Sequence, residues 1–392
     1  MKKRYPFFVR KEGMPIKLLA FFVAIVVLSG CSKKEIVPER FYPRNDHEAY
    51  WYSLKQANLL NTALGKEWLE AADRPFNEQI QINLPYQESF EISNKLPDAH
   101  GYRFDVKRGQ KVLVNIELIT PDTTKVFVDL FRVKNDSLNE FIQVASADST
   151  LDLSFQPRRN ASYLLRLQPE LLRGGKFSIT IENTPSLAFP VAGKNKYAIG
   201  SVFGDPRDGG RREHHGVDIF AKRHTPIIAP VEADVRFVGT KKLGGKVVWL
   251  RNPKTGDNLY FAHLQEQKIK RFQKVNVGDT IGTVGNTGNA RTTPPHLHFG
   301  IYNNGPIDPY AFIVPDYTNT NFTEPDTLGL GRIWEVTKQL AIKSQMSHSS
   351  PELDTLFSGD QIVLKAINHQ YVRIETENGI KGFLSKSDLD RL

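Results

Sequence analysis

Apolar and polar residues change their spacing along this chain, and each change marks a different architecture. Asn45 followed by Glu48 has the form of a helix-capping pair. Tyr50, Leu54, Ala57, Leu60, Leu64 and Trp68 then recur at steps of three and four. This predicts one amphipathic helix over about 46–72, within a segment assigned to 46–75. Over 76–186 the period becomes two, as in Val112, Val114, Ile116, Leu118 and in Tyr163, Leu165, Leu167, with the same alternation in Phe177, Ile179 and Ile181. Broken by Lys107-Arg108-Gly109 and Arg173-Gly174-Gly175, it predicts an antiparallel β-sandwich. Residues 187–316 are rich in Gly, Pro, Val and His, and 317–330 read as a polar linker. Short strand patterns at 362–367, 371–374 and 382–384, separated by Asn-His and Asn-Gly turns, place a small β-rich unit at 331–392, set apart by that linker. The fold class expected is therefore mainly β, with one N-terminal helix.

The N-terminal residues change the meaning of the net charge. Of the formal +9, residues 1–30 contribute +5, from six Lys/Arg against Glu12. Residues 18–28 read LLAFFVAIVVL, about half the length a membrane span needs, and have the form of a signal-peptide core. Leu28-Ser29-Gly30-Cys31 follows, and this resembles the lipobox of bacterial lipoproteins. The resemblance implies that 1–30 is a cleaved signal, that the Cys31 thiol is lipidated, and that 31–45 tethers the protein to a membrane. Met14 would open a more compact signal than Met1, and Ser32 after the cysteine leans toward the outer membrane, facing the periplasm. Cys31 is the sole cysteine, so no internal disulfide can form.

The remaining charge is uneven. Residues 191–313 carry 18 Lys/Arg against 10 Asp/Glu. No helix interleaving basic with aromatic residues accompanies them, so nucleic acid is disfavoured as a partner. A carboxylate-bearing polymer such as cell-wall peptide suits this field and the exported address better.

Six of the ten histidines, His214, His215, His224, His263, His296 and His298, fall within 85 residues of this basic segment. In Pro295-His296-Leu297-His298-Phe299 the two imidazoles share one strand face while Leu297 and Phe299 turn to the core. In His214-His215-Gly216-Val217-Asp218 the same logic puts His214 and Asp218 on one face, with space over Gly216, although spacing alone does not decide between His214 and His215. His263 ends a strand pattern, Leu259-Tyr260-Phe261-Ala262-His263. Two His and one Asp are donors that suit Zn²⁺, and they would leave the site a net cation able to polarise a carbonyl.

These stretches, with the hairpin 277–288, occur in the order and spacing of the M23 (lysostaphin/LytM-type) zinc metallopeptidases, which the chain resembles over about 120 residues. The resemblance implies that His214, Asp218 and His298 bind zinc and that His263 and His296 flank the activated water. It also makes His215 the variable neighbour and 204–212 a loop at the cleft rim. Phe261 departs from a common Tyr, and His224 stands where Gly is usual, a position His tolerates if φ is positive. The sandwich is similar, weakly, to accessory modules beside secreted peptidases. Residues 331–392 resemble a bacterial SH3-like domain, although Gln370 and Phe383 replace its usual tryptophans. The function implied is a membrane-tethered zinc endopeptidase of the cell envelope, hydrolysing peptide cross-links of peptidoglycan by a metal-activated water. The alternative is a non-enzymatic LytM-like regulator of wall amidases, a type that typically lacks zinc ligands.

Overall fold

The stripe of apolar residues predicted as one helix folds back on itself. Two helices form, Asp46–Gln56 and Ala63–Asp73. Asn45 Oδ1 accepts the Glu48 N–H at 2.8 Å, as the capping pair predicts, but the Glu48 carboxylate turns to the Arg44 backbone instead of closing the box. The break comes at Asn58, held at φ +56°, and Thr62 caps the second helix by accepting the Gly65 N–H. Leu54, Leu60 and Trp68 still converge, because both helices lie over Phe127 of the sandwich. A hairpin of helices and one long helix bury the same stripe, which is why periodicity did not separate them.

The structure, a computed structural model, describes residues 43–77, 80–119, 124–147, 151–317 and 322–391. The signal segment and Cys31 lie outside these residues, as does most of the tether. Among the described residues no helix is long and apolar enough to cross a membrane.

The chain is mainly β. In the first sheet His100–Val106, Ala161–Pro169, Val126–Asn135 and Glu140–Ser146 lie side by side. In the second, Tyr86–Ile92, Gly175–Pro185, Gln110–Leu118 and Leu153–Phe155 do so. The alternating positions face inward as expected, with Val112, Leu165, Leu167, Phe177, Ile179 and Ile181 fully buried.

The second sheet does not stop at the sandwich. Ser89 pairs with Ile367 and Phe90 with Ala366, so Tyr86–Ile92 runs directly into the C-terminal strand Gln361–Ile367. Beneath this seam Glu88 is 2% exposed and accepts hydrogen bonds from Tyr86 Oη, Tyr102 Oη and Arg373 Nη2 at 2.6, 2.7 and 2.9 Å. The linker also docks, Gln87 Nε2 donating to Thr323 O. The C-terminal unit therefore shares a sheet and a buried ion pair with the sandwich, and the polar composition of 317–330 does not set it apart as the sequence suggested. Removing one member of such a pair costs about 3–5 kcal/mol, because the other stays buried and charged.

Between these units in sequence, a third sheet carries the histidines. Its order is Ile199–Ser201, Val217–Phe220, His296–Tyr302, Asn258–Leu264, Gly245–Arg251, Ala233–Lys241 and Lys274–Val275. Val217, Ile219, Leu297 and Phe299 are 0% exposed on its inner face. This fixes which residues the other face must present.

Candidate active site

Strand register decides the site. Val217 pairs with Phe299, Asp218 with His298, Ile219 with Leu297 and Phe220 with His296. Since side chains alternate faces, burying the first and third pairs forces Asp218, His296 and His298 onto one opposite surface. His298 Nδ1 lies 3.0 Å from Asp218 Oδ1.

His214 arrives by a different route from the one its spacing suggested. The strand begins at Val217, and His214 precedes it in a loop pinned by His214 N–H to Asp205 O and Gly204 N–H to His214 O, both 2.9 Å. Its Nδ1 donates to Val202 O at 2.8 Å, which leaves Nε2 as the lone-pair nitrogen, 3.0 Å from Asp218 Oδ1 and 2.9 Å from His298 Nδ1. His215 is exposed and stacks on Phe203. The structure thus brings His214, not His215, to Asp218 and His298. Gly216 makes the approach possible, for a Cβ there would sit 2.8 Å from His298 Cε1 and 2.5 Å from Phe299 O.

His263 reaches the same cleft through a bulge. Pairing between Gly245–Arg251 and Asn258–Leu264 slips between Lys246 and Val248, and His263 takes φ +65°. A non-glycine residue in that region is strained and held by its surroundings. Here the His263 N–H donates to Gly244 O and its Nδ1 to Thr287 O at 2.8 Å. His296 anchors Nδ1 on Pro294 O at 2.9 Å, and its Nε2 stands 4.0 Å from Asp218 Oδ1. The His263 ring lies 5.0 Å from that of His296 and 6.1 Å from that of His298. His224 lies apart and exposed, at the positive φ of +70° that its sequence position allowed.

Burial pushes the Asp218 carboxyl up, but hydrogen bonds and charge from His214 and His298 outweigh it and hold the group well below the usual carboxylate range. Burial pushes His263 down to about 4, against the bond to Thr287 and with help from the neighbouring imidazoles. Burial also lowers His298, partly offset by Asp218.

One residue of this site was not singled out from sequence. Arg207 Nη2 lies 2.9 Å from Asp218 Oδ2 and 2.6 Å from Ser201 Oγ, and Ser201 in turn donates to Asp205 Oδ2. The carboxylate of Asp218 is thereby divided, Oδ1 toward the imidazoles and Oδ2 toward the guanidinium. Pairing of Pro206–Arg207 with Arg212–Glu213, closed by Asp208, Gly209 and Gly210 at positive φ, delivers the arginine. The only signal in the sequence was the Asp-Gly-Gly turn of the rim loop. The cleft holds about 570 Å³ and is lined also by Tyr260, which burial pushes up to about 12.

His214 Nε2, Asp218 Oδ1 and His298 Nδ1 form a group that could hold one ion. Three atoms about 3 Å apart can all be reached from one point about 2 Å away, the length of a zinc bond to nitrogen or oxygen, and the donor types suit zinc.

Residues 212–309 match the model of Peptidase family M23, and the chain carries a domain of that family there. The L-Ala–D-Glu endopeptidase of Bacillus subtilis (strain 168) is 38% identical over 139 residues, 32% of this chain and 42% of that protein. The peptidoglycan DD-endopeptidase ShyC of Vibrio cholerae is 37% identical over 100 residues, 26% of this chain and 22% of that protein. The uncharacterized lipoprotein YgeR of Escherichia coli (strain K12) is 34% identical over 110 residues, 28% of this chain and 41% of that protein. The matches thus span less than half the length of each of these relatives.

Proposed function

We propose that this protein is a zinc endopeptidase that hydrolyses peptide bonds of peptidoglycan, held at the cell envelope by a lipid on Cys31. The observation that carries the reading is the convergence of His214 Nε2, Asp218 Oδ1 and His298 Nδ1, with His263 and His296 alongside in one cleft. The relative named as a peptidoglycan endopeptidase supports the substrate class, the one named as an L-Ala–D-Glu endopeptidase supports cleavage within a peptide, and the one named as a lipoprotein supports the envelope address.

In this reading His214, Asp218 and His298 hold the ion, and Arg207 keeps the second oxygen of Asp218 turned away from it. Bound zinc would supply a Lewis acid for the scissile carbonyl and lower the pKa of a water molecule. His263 and His296 have both committed Nδ1–H to backbone carbonyls, so each has Nε2 left to accept a proton from water or, once protonated, to donate. Burial holds His263 neutral at neutral pH, so any proton it gives to a leaving amine is one it has first taken from the water. The excess of Lys and Arg over 191–313 draws carboxylate-rich wall peptide toward the cleft.

The test is mass spectrometry of fragments released from purified peptidoglycan by the full chain, with and without a chelator. Fragments cut within peptides, with glycan bonds intact, should appear, vanish with chelator and return with added Zn²⁺. Release that ignores the chelator, or cleavage between sugars, would overturn the reading.

A further inference from the structure

One side chain of the histidine cleft has a polar end that the proposed chemistry does not use. Tyr260 lines the cleft from the middle of its strand, paired with Trp249 on one side and Gly300 on the other. Its ring meets that of His298 edge to face, with centroids 5.8 Å apart. Two further rings hold it there. Trp249 lies 4.5 Å away and Tyr302 6.3 Å, centroid to centroid, and the Tyr302 hydroxyl donates to His215 O at 3.3 Å. A ring packed in this way has little freedom left to lose when a ligand arrives, so its hydroxyl is pre-organised.

The hydroxyl end abuts Gly244. A Cβ at 244 would overlap Tyr260 Oη and lie 2.7 Å from Val247 Cγ1, so glycine there leaves the hydroxyl uncovered on the cleft wall. The Gly244 carbonyl is already engaged by the His263 N–H at 2.7 Å. Among the described residues Tyr260 Oη makes no hydrogen bond. A phenol is protonated at neutral pH, which makes this group a free donor facing the cleft.

Its surroundings indicate what it would meet. Leu243, Gly244, Ala262 and Ala290 make this side of the cleft uncharged, and Leu243 is 53% exposed. An apolar wall with one fixed polar group orients a ligand through that group. The position is beside the proposed chemistry and not on it. Among the described residues, His298 is the one site imidazole in ring contact with Tyr260, and the hydroxyl lies at the far end of that ring, against Gly244.

Resting on the peptidase reading, we propose that Tyr260 is a specificity-determining residue. Its hydroxyl donates a hydrogen bond to a backbone carbonyl of the bound peptide next to the scissile bond, on a residue whose small apolar side chain covers Leu243. A site built to hydrogen-bond its substrate rejects chains that offer no acceptor there, because the donor would be left unpaired.

Steady-state kinetics of the full, zinc-loaded chain on soluble cross-linked muropeptides from purified peptidoglycan tests this with Tyr260→Phe, which removes the oxygen and keeps the ring. KM should rise about threefold to tenfold, the worth of one neutral hydrogen bond, with kcat within about twofold and about one zinc per chain retained. Binding without turnover gives a second readout: in His296→Ala, adding Tyr260→Phe should raise the dissociation constant for the same muropeptides by about the same factor. Unchanged KM and binding, while the parent cleaves, would overturn the Tyr260 assignment alone. A fall in kcat at constant KM would put the hydroxyl on the reacting carbonyl, and loss of zinc would make the ring a support for His298. Either result overturns the proposal. A parent that cleaves no muropeptide overturns the peptidase reading, and this proposal with it.

Discussion

Replacing Gly216 by alanine should damage the proposed metal site without changing any of the three residues assigned to it. A Cβ at 216 would lie 2.5 Å from Phe299 O, 2.8 Å from His298 Cε1 and 2.9 Å from His298 Nε2, where ordinary contact begins at 3.4 Å. Phe299 cannot retreat, being fully buried and paired with Val217. The His298 ring must therefore move by about half an ångström or more, beyond the roughly 0.2 Å that metal-ligand distances tolerate. Forcing one extra methyl into packed surroundings costs about 1–3 kcal/mol. If most of that falls on His298, zinc affinity drops by about tenfold to a hundredfold, at 1.4 kcal/mol per factor of ten. Competition against a chromogenic chelator measures it, with His215→Ala, whose ring is exposed, as the control expected to match the parent. Wild-type zinc affinity in Gly216→Ala would refute the steric argument and with it the placement of His298.

Other outcomes follow from the same structure. Arg373→Met should destabilise the chain by about 3–5 kcal/mol in denaturant unfolding, with Glu88→Gln added in the same chain restoring much of the loss, because the cost is a stranded buried carboxylate. An unchanged midpoint would show that the seam contributes nothing to the fold. Acidification should destabilise the protein from about pH 6.5 downward. His47, hydrogen-bonded to Gln168 and stacked on Trp68, and His100 are held by burial well below 6.5, so the unfolded chain takes up protons first, at about 1.4 kcal/mol per pH unit for each. A flat unfolding midpoint between pH 6.5 and 5 would contradict this. Cys31→Ser should leave the protein unprocessed or soluble in cell fractionation, and full retention in processed form on the membrane would remove the lipid anchor from the account.

How much could be read from the chain depended on how local each feature was. The alternation around Leu297 and Phe299 fixed the face of His296 and His298 because a period of two needs only neighbouring residues. The space over Gly216 was legible for the same reason. The choice between His214 and His215 was not, since it rests on bonds to Val202 and Asp205 across a loop. Nor was the bulge that turns His263 into the cleft, where the Gly244 and Thr287 carbonyls set the geometry. Arg207 read as one more arginine of a basic rim until the loop placed it on Asp218. The docking of the C-terminal unit was least visible, because Glu88 and Arg373 lie 285 positions apart and each looks like an ordinary charged residue of its own strand. The polar linker between them reported composition, not separation.

The division of labour between two histidines of one strand is the central proposal, and zinc content measured beside fragment release in His298→Ala and His296→Ala tests it. The first variant should lose the metal and the activity together, since two remaining protein donors hold zinc far more weakly than three. The second should keep about one zinc per chain while release falls by about 10²–10⁴-fold, the range for a positioned proton-transfer or oxyanion group. Zinc retained without His298 and lost without His296 would contradict the assignment, and undiminished release from both would contradict the peptidase itself.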